Sequence, residues 1–170
     1  MRRAIEWGSG LGTDGPQPPA NFGYESIFTV NTIDVGKDMI ATQVTLTEDG
    51  ELTSITGYLD GVNDKKYEFA VYDDASGEPG SFIINSNSGN DSGTGWKPQP
   101  VPPTVLTAGT YWLAFSMEHS SHGFYRENTG GQTRIKLDHD AIKNGWPSTW
   151  PGSTSSNTWK ISIYGTYLPQ

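Results

Sequence analysis

The sequence predicts an all-β protein, an antiparallel β-sandwich of jelly-roll type, and three observations carry that expectation. The 21 glycines and 11 prolines among 170 residues exceed what a helical protein tolerates. Hydrophobic content is low at 34% while aromatic content reaches 12%, a balance that suits short strands with one wet face. Segments alternating with period two recur between clusters of Asp, Asn, Ser and Gly.

Residues 1–21 read as a flexible lead or linker, since residues 8–21 are dominated by Gly, Pro and small polar side chains. The folded body is expected over residues 22–170 as one domain. Strands are expected at 24–33, 39–46, 51–59, 67–72, 82–85, 101–106, 110–117, 124–126, 133–137 and 159–167. In 110–117 the alternation sets Trp112, Ala114 and Ser116 against Tyr111, Leu113, Phe115 and Met117. In 159–167 it points Trp159, Ile161 and Ile163 one way. The joints Glu48-Asp49-Gly50, Asp60-Gly61, Asp73-Asp74-Ala75-Ser76-Gly77 and Ala108-Gly109 place Asp or Gly where an Asx turn or a positive φ is wanted. Only 138–143 has the character of a helical turn.

A net charge of −8 leaves no basic footprint for a phosphate backbone or an anionic membrane surface, so neither nucleic acid nor membrane is expected as a partner. Neutral or weakly basic partners fit. The absence of cysteine removes disulfides, thiolate metal sites and cysteine nucleophiles. Met1-Arg2-Arg3-Ala4-Ile5-Glu6 is not followed by an apolar signal core, so export is expected from composition alone.

Four stretches carry a family resemblance. They are 45–55 (Thr45-Leu46-Thr47-Glu48-Asp49-Gly50 onward), 69–80 with Asp73-Asp74-Ala75-Ser76-Gly77-Glu78-Pro79-Gly80, 106–115 with Ala108-Gly109-Thr110-Tyr111-Trp112, and the closing 161–167. Their order, over roughly residues 39–167, resembles a bacterial β-sandwich accessory module of multimodular exported proteins, found beside hydrolase catalytic domains and fibronectin-type repeats. The resemblance implies a secreted or cell-surface, carbohydrate-binding-module-like role with a covalently linked catalytic domain as partner. It implies no sugar in particular.

The most informative stretch is Gly145-Trp146-Pro147-Ser148-Thr149-Trp150-Pro151-Gly152, in which each tryptophan precedes a proline and is held out of helix. Trp146 and Trp150 are expected as an aromatic platform on which pyranose C–H faces stack. Four extended residues span up to about 14 Å, the reach of two or three sugar rings. The alternative is that one or both indoles fold back as a plug.

Tyr125, Arg126 and Asn128 are expected to lend polar contacts, since Arg and Asn pair with vicinal hydroxyls. Alternation sets Arg126 and Tyr125 on opposite faces. His119 and His122, with Glu118 and Asp138-His139-Asp140, read chiefly as surface residues. Asp73, Asp74 and the stretch 85–91 offer oxygen ligands for a structural calcium, without the alternate-residue pattern of a dedicated loop. Asn90-Asp91-Ser92 fits a glycosylation acceptor. Trp96, Trp112 and Trp159 are expected in core or sheet-face roles.

The function expected from this is non-catalytic binding of a polysaccharide or oligosaccharide, with no enzyme activity. The alternative is a structural or adhesive β-sandwich of a surface or phage protein with no small-molecule ligand.

Overall fold

The computed structural model describes residues 15, 17–33, 35–62 and 64–170, so Trp7 and the first fourteen residues of the expected lead lie outside the described residues. The strands are β1 (Ala20–Gly23), β2 (Val30–Thr32), β3 (Met39–Leu46), β4 (Gly50–Asp60), β5 (Lys66–Asp74), β6 (Pro79–Asn85) and β7 (Gly89–Asn90). They continue as β8 (Gly95–Leu106), β9 (Gly109–Met117), β10 (Gly123–Glu127), β11 (Thr133–Lys136), β12 (Ser155–Asn157), β13 (Lys160–Ile161) and β14 (Ile163–Pro169), with one helical turn, α1 (Ala141–Asn144), before β12.

Two antiparallel sheets pack face to face. Sheet 1 runs β1-β14-β4-β10-β13, with β8 on β4 and β2 on β10; sheet 2 runs β12-β11-β3-β9-β5-β6, with β7 on β5. The core between them takes Ile40, Phe69, Leu113 and Phe115 from sheet 2 and Leu52, Ile55, Leu59, Phe124 and Ile163 from sheet 1. Gly57 faces this core, and a Cβ there would come within 2.8 Å of the Phe69 ring, so the glycine makes room for it.

β8 lies at the edge of sheet 1 and carries exposed Pro98 and Pro100, which remove backbone donors and discourage a further strand.

Of the expected strand at 24–33 only Val30–Thr32 forms a strand, β2, while β1 ends just before that range. Gly23 at φ 115° turns the chain out of β1, and the segment before β2 is anchored by the Phe28 amide donating to Ser162 Oγ at 3.0 Å. Sheet pairing begins at Ala20, opposite Tyr167, two residues before the expected start of the body. Ser162 divides the expected closing strand, because its amide donates to the Tyr125 carbonyl while its own carbonyl accepts from Tyr58.

Candidate functional site

Sheet 2 has apolar side chains on both faces. Ala41, Ala114 and Ala70 sit side by side across β3, β9 and β5, flanked by Met39, Tyr72 and Trp112, so their outer face forms a shallow trough of small residues. The 145–152 segment fills it. Thr149 bridges Ser81, the Phe82 amide donates to the Ser148 carbonyl at 3.0 Å, and the Trp150 amide donates to the Gly80 carbonyl at 2.9 Å. The segment thereby closes the free edge of β6.

This corrects the expectation of an aromatic platform at Trp150, whose ring is not presented to solvent. Trp150 is 6% exposed, its ring edge-on to Tyr72 at 5.3 Å and its indole N–H donating to Ser153 Oγ. Trp146 is half-buried against the same cluster, its N–H donating to the nearly buried carboxylate of Glu68 at 3.0 Å. The physical reason is the trough beneath them: a large aromatic side chain removes roughly 150–250 Å² from water, and the alanines leave a slot of that shape.

The outer face of sheet 1 is different. Tyr58 lies between Gly57 and core Leu59, Tyr125 follows core Phe124, Tyr164 follows core Ile163, and Trp96 precedes inward-pointing Lys97, so the strand period turns all four rings outward. Trp96 is directly opposite Tyr58 in register. The rings form one continuous row by edge contacts, Tyr125 to Tyr58 at 5.0 Å, Tyr58 to Trp96 at 5.2 Å and Trp96 to Tyr164 at 5.3 Å. Each is half-buried, so each keeps a surface for a ligand.

One end of the row is polar. Asp60 accepts from Asn31 Nδ2 at 2.6 Å and from Thr94 Oγ1 at 2.5 Å, which fixes both carboxylate oxygens beside Tyr125. Burial chiefly raises the Tyr125 phenol above its ordinary value, and the Asp60 charge and Tyr58 add to it.

A buried charged group underlies that end. Lys97 Nζ lies 2.9 Å from Asp91 Oδ1, with side-chain exposures of 8% and 0%. His122 Nε2 stands 3.7 Å from Asp91 Oδ2, and neither atom has a hydrogen-bond partner. A Cβ at Gly61 would overlap the Asp91 carboxylate, so only glycine passes there. Burial pulls the His122 imidazole below its ordinary value, against the Val62 carbonyl and the Asp91 charge. These residues tie the end of β4 to the starts of β8 and β10, the three strands that carry Tyr58, Trp96 and Tyr125.

Arg126 and Asn128 do not join Tyr125. Arg126 lies over the Trp159 ring at 3.7 Å, donates from Nε to Thr32 Oγ1 at 2.6 Å, and bonds Asn128 from a terminal nitrogen. The proposed trio is therefore split between the outer face and the sheet margin, as the strand period requires. Beyond that margin Arg134, Asn157 and Trp159 line an open groove of about 590 Å³.

The carboxylates considered for calcium are otherwise engaged. Asp73 accepts from the Ser81 amide. Burial alone would raise Asp74, but N–H donation from Gly77, Trp112 and Gln43, with Arg134 nearby, holds it below the usual range. Among the described residues no three His, Asp or Glu side chains converge as metal ligands. His119, Glu118, Asp138 and Asp140 line one groove of about 480 Å³, together with Lys37, Lys65 and Lys143. No helix of the described residues is long and apolar enough to cross a membrane.

Sequence reasoning missed the aromatic row. Its signal was present in the alternation, which sets Tyr58 and Tyr164 opposite core neighbours, but pairing Trp96 with Tyr58 needed the register of β4 and β8. Set against protein-family models and against curated proteins, the chain matches none of them.

Proposed function

We propose that this protein is a non-catalytic module that binds a polysaccharide on the outer face of sheet 1, through Tyr58, Trp96, Tyr125 and Tyr164. The observation that carries the reading is the continuous row of four half-buried rings on the outer face of sheet 1. Sugar C–H faces stack on such rings, and the neighbouring Asn31, Thr94 and Asp60 offer donors and acceptors for hydroxyls. An aromatic face carried on paired strands suits a long chain lying across it, because little ordering of the protein is needed on binding.

The resemblance to accessory modules of exported bacterial proteins supports the same reading. On it the protein is secreted or surface-held and keeps a linked catalytic domain near polymeric substrate, raising effective concentration without turnover. Burial of Trp150 favours the second reading, a purely structural sandwich, as far as the 145–152 segment is concerned. It does not account for the row on the opposite sheet.

Affinity electrophoresis against soluble polysaccharides tests the proposal. Retardation by at least one polymer, lost in Trp96→Ala with the fold retained, is the expected result. Free migration of the wild type in every polymer leaves the structural reading.

A further inference from the structure

We infer that the Asp60 end of the aromatic row selects sugars bearing a free ammonium group, so that the preferred ligand is an amino-sugar polymer. The inference rests on the reading of sheet 1 as a glycan-binding face and names its substrate class.

Charge on this face is one-sided. Among the described residues Asp60 has no cationic partner; its oxygens are held by an amide and a hydroxyl, neither of which neutralises it. Glu51 lies further along β4, and Glu127 is paired with Lys160 at the far margin, 3.4 Å apart. The other basic side chains on sheet 1 are turned away: Lys97 points inward to Asp91 and Arg126 lies over Trp159. The remaining described lysines and arginines belong to no strand of sheet 1. A uronate would therefore meet repulsion here without a compensating cation.

Aromatic faces beside a carboxylate are the arrangement that attracts an ammonium group, because the ring quadrupole and the anion act on the same charge. Tyr58 and Tyr125 meet almost perpendicularly, at 85°, so their surfaces form two walls of a corner near Asp60. The polar partners are fixed in advance: Asn31 is paired with Tyr125 across β2 and β10, and its side chain already holds Asp60. An ammonium group seated there gains the rings and the carboxylate together. A hydroxyl at the same carbon gains neither charge term.

The test uses three oligomers of equal length: β-1,4-linked glucosamine, its fully N-acetylated counterpart, and β-1,4-linked glucose, titrated calorimetrically near pH 6 into the wild type and into Asp60→Asn. The glucosamine oligomer should bind about tenfold tighter than the glucose oligomer. That preference should shrink when salt is raised from 50 to 300 mM. Asp60→Asn should abolish the preference, weakening the glucosamine oligomer about tenfold more than the glucose oligomer. Tyr125→Leu, which spares the Asp60 contacts, should reduce it as well, and serves if Asp60→Asn does not fold. Equal affinities of the first and third oligomers in the wild type overturn the inference but leave glycan binding standing. Binding of none of the three overturns the inference and counts against the function on which it rests.

Discussion

Replacing Trp150 and Trp96 separately by alanine should produce opposite failures. Trp150 is 6% exposed, so its side chain keeps nearly all of the roughly 150–250 Å² that an indole removes from water. At about 25 cal/mol per Å² that corresponds to roughly 4–6 kcal/mol, and the cavity left by Trp→Ala in a packed site brings a loss of about 3–5 kcal/mol. With a urea slope of about 2 kcal/mol per molar, the midpoint should fall by roughly 2 M. Trp96 is half-buried and makes two edge contacts, with Tyr58 and Tyr164, each worth about 0.5–1.5 kcal/mol. Its removal should therefore lower stability by about 1–3 kcal/mol, less than the loss at Trp150. It also removes a stacking surface of about 1–3 kcal/mol, which is about 5- to 150-fold in affinity. Urea unfolding followed by circular dichroism, alongside affinity electrophoresis in a retarding polymer, reads both quantities. Trp150→Ala with a wild-type midpoint and lost retardation, beside Trp96→Ala with full retardation, would refute the reasoning.

The buried group beneath the platform gives further expectations. Burial lowers the folded pKa of His122, so the unfolded chain takes up the proton first as pH falls; stability is complete above the unfolded value near 6.5 and declines below it. Urea midpoints at pH 7.5, 6.5 and 5.5 should fall in that order, and His122→Leu should flatten the slope; a wild-type midpoint constant over this range contradicts the assignment. Lys97→Met leaves the Asp91 carboxylate, 0% exposed, without its cation, for an expected loss of about 3–5 kcal/mol. Adding Asp91→Asn should recover part of that loss, and a strictly additive double mutant would show that the two do not interact. Gly61→Ala should prevent stable folding, because its Cβ would meet the Asp91 carboxylate, and a wild-type unfolding curve for this variant would count against the packing of that end.

The two-sheet architecture was legible because its strands alternate cleanly. β9 is the clearest case: Tyr111, Leu113, Phe115 and Met117 enter the main core and Trp112 and Ala114 the outer cluster, divided as the period requires. Less legible was that this outer side is covered. The alternation assigns Trp112 and Ala114 to a face opposite the core, and only the meeting of Ala41, Ala70 and Ala114 across three strands makes that face a trough for Trp150. The same limit hid the aromatic row, whose members come from β4, β8, β10 and β14 and lie 38 residues apart in the Tyr58 and Trp96 pair. Local pattern sets the face of a ring, whereas register decides which rings meet. The turn after β5 was readable from its Asp and Gly residues: Asp74 accepts from the Gly77 amide three residues on, while Asp73 reaches across the hairpin to the Ser81 amide.

The most direct measurement is a two-dimensional ¹H–¹⁵N spectrum of the labelled protein, in which the indole N–H signals of the tryptophans are followed during titration with a retarding oligosaccharide. The Trp96 indole should shift with ligand, together with the amides of Tyr58, Tyr125 and Tyr164, while those of Trp112, Trp146 and Trp150 stay in place. Movement of Trp146 and Trp150 with an unmoved Trp96 would place the ligand on the opposite sheet and contradict the account.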